Sequence, residues 1–323
     1  MQKGLGKIIL TLAWIICKFD LKNIYPNKSK IKMKLPNFNV SFLIIALLLF
    51  NSCKEQLVTT VTSPDGVKIA FNQQGKGKTA IIFVHGWSNN KNIWAEQLAD
   101  FSEKYKAIAV DLAGFGESGN NRSNWSMSAF GDDIAAIVDK LKLQQVVLVG
   151  FSMGAAVVLE TAKKVPEKIT GVVLVDDLQN IETKYPPEIV HMFDSVMMDL
   201  IENPTQEKLV TMGFFKNNRE QNYQKVLDMV NKFPSRTGYR ESLDSYFKWI
   251  NEDCLQTLKL IKAPVIAINS DSEPTNIDAF RKYVPSFKAN IIPAVGHVVF
   301  WDAPDEFNKL LEESIQDFIA NRK

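Results

Sequence analysis

The chain has 323 residues, 46% of them hydrophobic and 23% charged, and a formal net charge of +2. This composition excludes a disordered or collagen-like chain, is ample for one large α/β domain with its own core, and gives no electrostatic reason to expect nucleic acid as a partner. The charge is unevenly spread: residues 1–52 hold eight Lys and one acid, Asp20, which leaves 30 basic against 35 acidic residues in the remaining 271 and predicts separate fates for the two parts.

In the first part, Val40 to Phe50 reads VSFLIIALLLF and runs into Asn51-Ser52-Cys53. Such a run is shorter than the roughly 20 residues a spanning helix needs, and fits the roughly 7–15-residue apolar region of a signal peptide. With the small Ser52 directly before Cys53, the segment resembles a bacterial lipoprotein signal, from which Phe50 and Asn51 depart. The resemblance implies lipidation of Cys53 and an exported, membrane-tethered domain rather than a cytoplasmic one. Met33 opens a leader of ordinary length, so translation is expected to start there and residues 1–52 to form a leader region ahead of a domain at 53–323. Of the three cysteines, Cys17 and Cys53 lie in the leader; Cys254 is then without a partner and no disulfide framework is expected. No Cys/His cluster has metal-ligand spacing, and neither a metal nor a cofactor is expected.

From residue 57 the pattern alternates between strands and helices. Leu57–Thr62 and Val67–Asn72 are extended runs around the turn signal Pro64-Asp65-Gly66. Thr79–Val84, Ala107–Val110, Val146–Gly150, Gly171–Val175, Pro264–Asn269 and Ala289–Ile292 read as apolar strands. Ile93–Tyr105, Met127–Leu143 with Ser126 as N-cap, Met153–Val165, Ile277–Val284 and Asp305–Ile319 read as helices, and a mixed helical insert runs from about 178 to 260. Fully apolar strands alternating with helices predict a mostly parallel sheet, buried on both faces.

Gly150-Phe151-Ser152-Met153-Gly154 is G-x-S-x-G placed between a strand and a helix, the setting in which a sharp turn exposes a nucleophilic serine at a helix N-terminus. Of the three histidines, His297 follows the last strand in Gly296-His297 and suits a general base, because imidazole titrates near neutrality. His85, after strand IIFV in His85-Gly86-Trp87, reads as a structural hydrogen-bonder, and His191 as a surface residue of the insert. The backbone N–H groups of Trp87 and Met153 are placed to hold an oxyanion.

These motifs, with Asp111-x-x-Gly114-x-Gly116-x-Ser118, resemble the α/β-hydrolase fold superfamily, in its lid-bearing branch of esterases and related enzymes, over about residues 57–320. The resemblance implies about eight strands, a helical lid at 178–260, and a triad acid near the end of a late strand. Here the sequence departs from the usual G-x-x-D-P and reads Asn269-Ser270-Asp271-Ser272-Glu273-Pro274. Glu273 stands at the acid position, with Asp271 two residues earlier, and Asp176 or Asp177 at the end of the strand before the insert as a third choice. In the insert, Met192-Phe193, Met197-Met198, Met212-Gly213-Phe214-Phe215 and Tyr246-Phe247-Lys248-Trp249 are expected mostly to pack the lid on the core, with at least one touching substrate.

The expected activity is a serine hydrolase acting on a small-molecule carboxylic ester or related acyl bond through an acyl-enzyme. A cofactor-free haloperoxidase-like reaction or carbon–carbon bond hydrolysis would use the same residues. A non-catalytic ligand-binding protein on the same scaffold is the rival of another class. Serine at the elbow argues against epoxide hydrolase and dehalogenase chemistry, which in this superfamily uses Asp there.

Overall fold

The computed structural model describes residues 58–233 and 235–322. The apolar run 40–50, the start at Met33 and the lipidation of Cys53 fall outside the described residues. Among those described, no helix is long and apolar enough to cross a membrane.

Eight strands form one sheet: β1 (Thr59–Thr62), β2 (Lys68–Gln74), β3 (Ala80–Val84), β4 (Lys106–Val110), β5 (Val146–Phe151), β6 (Ile169–Val175), β7 (Val265–Ser270) and β8 (Lys288–Ile292), in the order β1-β2-β4-β3-β5-β6-β7-β8. β1 and β2 are antiparallel neighbours and β2 is antiparallel to β4, whereas every pair from β4 to β8 is parallel. The hairpin closes at Gly66, whose φ of +87° suits a residue without Cβ. The central strands β3, β5, β6 and β7 are buried at every position, as a sheet covered on both faces requires.

Alternation along the strands feeds two cores. Ile82, Val84 and Leu148 face α2 (Met127–Lys140) and α3 (Met153–Lys164) in one; Ile81, Phe83 and Val149 face α1 (Ala95–Phe101) and the C-terminal α11 (Pro304–Ala320) in the other. Ser126 caps α2 through Ala129 N–H at 3.1 Å. The single helix expected over 93–105 is a 3₁₀ turn at Lys91–Trp94 followed by α1. The reason is a buried anchor: the Lys91 amide and ammonium both reach Asp111, at 2.6 and 2.5 Å, and fix the chain ahead of α1. Asp111 also accepts the Glu117 N–H, and Ser118 Oγ donates to the Asp111 carbonyl, so the Asp111–Ser118 motif is a folded loop at the end of β4.

The insert between β6 and β7 is helical, as its pattern predicts: α4 (Pro187–Glu202), α5 (Gln206–Thr211), α6 (Arg219–Lys232), α7 (Tyr239–Glu252) and α8 (Cys254–Leu260). It is pinned to the serine-bearing side of the sheet by buried Glu160 on α3, which accepts from Trp249 Nε1 at 2.9 Å and Thr257 Oγ1 at 2.7 Å. The remaining helices are short: α9 (Ile277–Arg281) and α10 (Val299–Asp302).

On the other face, α11 lies directly on β6. A Cβ built on Gly171 would stand 2.1 Å from the ring of Phe318, itself 2% exposed. Phe318→Ala is expected to destabilise the domain by about 3–5 kcal/mol, read from the urea denaturation midpoint, because the backbone at Gly171 cannot fill the space left behind. A shift of a few tenths of a kcal/mol would mean that α11 is not part of the cooperative unit.

Candidate active site

Ser152 stands between β5 and α3 with φ +51° and ψ −129°. A residue with a side chain reaches this region only at a cost of about 1–3 kcal/mol, and only where its surroundings force it. They do so here. Ser152 N–H donates to Val175 O on the neighbouring strand at 3.1 Å. A Cβ on Gly150 would lie 2.3 Å from Gly154 O, and one on Gly154 would lie 2.6 Å from Val84 O. The two glycines of the motif are therefore where the strand, the helix and β3 come together, and the half-buried serine is pushed outward at the helix N-terminus.

The loop after β3 forms the adjoining wall. Gly86 passes so near that a Cβ there would be 2.9 Å from Ser152 Cβ. His85 is fully buried, its Nδ1 2.7 Å from Gly86 O while Nε2 accepts Leu112 N–H at 3.0 Å. Burial pushes its pKa down to about 4, so it is a neutral cross-link between two loops, the structural part the sequence assigns it. Trp87 and Met153 both line the cavity above Ser152. Among the described residues neither of their backbone N–H groups has an acceptor. The Trp87 indole donates to Tyr239 O at 2.7 Å and ties this loop to lid helix α7.

His297 lines the same cavity as Ser152 and is 31% exposed in its side chain. Its Nδ1 lies 2.7 Å from Asp176 Oδ2. The carboxylate facing the imidazole is thus Asp176, not Glu273 or Asp271, and the order of preference from the family pattern is reversed. Asp176 is at the tip of β6 with φ +48°, 4% exposed, and its other oxygen accepts Ser270 N–H at 2.6 Å. That bond from the neighbouring strand aims the carboxylate at the imidazole. Asp271 instead accepts Ala294 N–H at 3.1 Å and lies 3.6 Å from Lys216 Nζ. Glu273 lines the cavity from an exposed position and makes no hydrogen bond to His297. The chain beyond β7 bends toward the insert, where Asn276 N–H donates to Gln179 O at 2.6 Å, so the spacing that suits Glu273 in sequence does not carry it to the imidazole. Asp177 is also turned elsewhere, accepting from Tyr246 Oη at 2.7 Å and Leu178 N–H at 2.5 Å. His191 is exposed on α4.

Burial alone would lower the His297 pKa, but the hydrogen bond to Asp176 and the charges of Asp176, Asp177 and Glu273 outweigh it and raise the pKa above 6.5. Burial pushes the Asp177 carboxyl up to about 6 against its hydrogen bond from Tyr246. Rings flank the imidazole, with Phe151 at 4.7 Å and Phe214 at 5.9 Å between centroids.

One residue that positions His297 has no motif in the sequence. Asp302, 6% exposed, accepts Gly296 N–H at 2.8 Å and Lys216 N–H at 2.6 Å on one oxygen and Asn222 Nδ2 at 3.1 Å on the other. It joins the histidine loop to the insert. In the same place His297 N–H donates to Gly213 O at 2.7 Å and Val298 N–H to Phe214 O at 2.9 Å. Gly296 is required by this contact, since a Cβ there would be 2.6 Å from Gly213 O. A carboxylate five residues past a candidate histidine is the only hint the sequence offers.

The cavity above Ser152 and His297 measures about 480 Å³. Most of the insert's expected apolar residues pack on the core, with Met197, Met198, Phe215, Phe247 and Trp249 buried in it, and Phe193, Met197, Met212, Phe214, Phe215 and Phe247 also line the cavity. Met192 is instead 58% exposed and Trp249 is buried against Glu160. Among the described residues, no group of three or more His, Cys, Asp or Glu side chains is arranged to hold a metal ion.

A sequence profile of the alpha/beta hydrolase fold matches residues 79–304. The chain is 28% identical over 258 residues to a pimeloyl-[acyl-carrier protein] methyl ester esterase of Wigglesworthia glossinidia brevipalpis, covering 76% of this chain and 96% of that one. Among solved structures, it superposes on an esterase from Exiguobacterium antarcticum with a TM-score of 0.69 at 21% identity, over 80% of this chain and 100% of that one. A bromoperoxidase from Bacillus anthracis superposes with a TM-score of 0.64 at 21% identity, over 82% and 100%. At these identities the two structures speak for the fold alone.

Asp302→Ala removes the acceptor for two backbone N–H groups in the histidine loop and the insert. It is expected to cost about 2–4 kcal/mol in urea denaturation, since each buried donor left unpaired costs about 1–3 kcal/mol. Asp302→Asn retains one acceptor and should lose less. Equal losses in the two variants would show that packing, not the hydrogen bonds, carries the effect.

Proposed function

Because the chain belongs to the α/β-hydrolase fold family, we propose that it is a serine hydrolase cleaving a small carboxylic ester with Ser152, His297 and Asp176. The observation that carries this reading is the 2.7 Å contact between His297 Nδ1 and Asp176 Oδ2 beside a serine held in a strained elbow. The contact gives the imidazole an acid partner, which counts against a non-catalytic binding protein on the same scaffold. An esterase among the relatives, similar over most of both chains, supports the ester as the bond cleaved.

In this mechanism the Asp176 carboxylate accepts Nδ1–H of His297, which leaves Nε2 as the base toward the serine hydroxyl. Ser152 Oγ attacks the ester carbonyl as its proton passes to Nε2. The carbonyl oxygen becomes an oxyanion, and the Trp87 and Met153 N–H groups, which have no acceptor among the described residues, receive it. His297 then protonates the departing alcohol, and water, deprotonated by the same nitrogen, releases the acid from Ser152. The stored cost of the elbow conformation is met by the glycine contacts and the Ser152–Val175 bond, so the serine does not relax away from the carbonyl.

For the leader, the apolar run 40–50 and Ser52-Cys53 support export with lipidation of Cys53. Metabolic labelling with palmitate that persists in a Cys53→Ser variant would overturn that assignment.

Three measurements test the hydrolase. Labelling by a fluorophosphonate is expected in the native protein and lost in Ser152→Ala; labelling that survives in the variant sinks the assignment of the nucleophile. Asp176→Asn should lower kcat by about 10⁴-fold on whichever ester of an acyl-length panel is cleaved fastest, as loss of the orienting carboxylate does in a serine protease triad. The base works only as neutral imidazole. A His297 pKa raised above 6.5 therefore places the acid limb of kcat/KM above 6.5, and Asp176→Asn should move that limb down. An acid limb unmoved in Asp176→Asn would assign it to another group.

A further inference from the structure

The cavity wall is lopsided in charge. Its described lining residues include three carboxylates, Asp176, Asp177 and Glu273, and one imidazole, His297; none is Lys or Arg. Asp176 is matched by His297. The other two carboxylates act on the same imidazole, but among the described residues neither is paired with a lysine or arginine. Asp177 accepts only from neutral groups, the Tyr246 hydroxyl and the Leu178 amide. Glu273 forms no ion pair among the described residues. The lysines of the region are engaged elsewhere: Lys184 Nζ donates to the carbonyls of Ile250 and Asn251, and Lys216 lies against Asp271. Asp177 and Glu273 share one end of the cavity. Both act on Tyr185, whose hydroxyl is raised in pKa by burial and then by these two charges. Met197, Leu200, Val226 and Met229 add apolar lining to the same cavity.

We propose that this wall selects substrates by charge: esters uncharged in both acyl and alcohol parts are accepted, those carrying a carboxylate or phosphate near the cleaved bond are rejected, and Asp177 and Glu273 are the residues that discriminate. The proposal rests on the hydrolase reading above, which makes this cavity the substrate site. An anion entering it leaves water for a partly desolvated space, meets like charge, and finds no guanidinium or ammonium to compensate. Rejection by an unpaired like charge is a means of specificity separate from attractive contacts, so the apolar wall can remain permissive in acyl length while the charged end excludes a whole chemical class.

Methyl butyrate and monomethyl succinate test this, since they share the ester and two methylenes and differ only in a terminal methyl or a carboxylate close to the cleaved bond. Affinity for both is measured by calorimetry on the Ser152→Ala protein, and kcat/KM on the native protein, at about pH 8, above the Asp177 value of about 6. The neutral ester is expected to be favoured on the order of tenfold or more in both measurements, and the ratio should shrink as salt is raised. Glu273→Gln should narrow the ratio and Glu273→Lys should narrow it further. Equal affinity of the two esters for Ser152→Ala overturns the charge proposal, even where the native protein hydrolyses both. The expected preference in binding, with no turnover by the native protein, leaves charge selection standing and sinks the hydrolase reading. Binding of neither ester overturns both.

Discussion

The register of three parallel strands is the constraint on which the site depends. Phe151 of β5 pairs with Val175 of β6, and Val175 pairs with Ile268 of β7. Ser152 and Asp176 are the next residues of their strands, so parallel pairing alone sets the serine and the carboxylate side by side at one edge of the sheet. Had any of these strands run the other way, its last residue would lie at the opposite edge. Both residues leave their strands with positive φ, and each is held by a backbone bond from its own N–H to the next strand: Ser152 to Val175 O and Asp176 to Ile268 O. The same ladder that builds the core thus bends the chain at the two places where chemistry needs side chains to emerge.

The third member depends on a different link. His297 lies in a loop after β8, at the far edge strand, and the sheet by itself does not fix it. The insert does, through the paired backbone of Gly213 and Phe214 and through Asp302, which accepts from both the histidine loop and the insert. The lid is therefore more than a cover for the cavity. Removing its contact would leave the His297 and Val298 N–H groups without their backbone acceptors, and the imidazole would rely on the Asp176 bond to orient it. Glu160, on the helix that starts at the serine, holds the other end of the insert through Trp249 and Thr257, so serine and histidine are tied to one body of packed structure.

Most of the architecture was legible in residue pattern. Strands buried on both faces are mainly apolar, and β3, β5, β6 and β7 announce themselves by the runs AIIFV, VVLV, VVLV and VIAI. The elbow is legible because steric crowding admits only glycine at positions 150 and 154. His85 is legible as a structural residue by its place directly after a buried strand. The acid was not legible. Glu273, Asp271, Asp176 and Asp177 all follow strand ends, and the choice among them turns on where one loop bends and on a hydrogen bond from Ser270 that no local pattern encodes. Asp302 and the 213–214 contact escaped for the same reason, being long-range pairings between a loop and an insert.

Composition and periodicity by themselves determined the fold class, the strand-turn-helix that presents Ser152, and the loop that bears His297, because each rests on local sterics or burial that residue type expresses directly. Only the tertiary structure decided that Asp176 meets the imidazole, that Asp302 couples the histidine loop to the insert, and that the described residues of the cavity wall include carboxylates but no lysine or arginine. Those outcomes depend on which distant segments converge, and convergence is set by strand register and by the path of the insert rather than by any one stretch of chain.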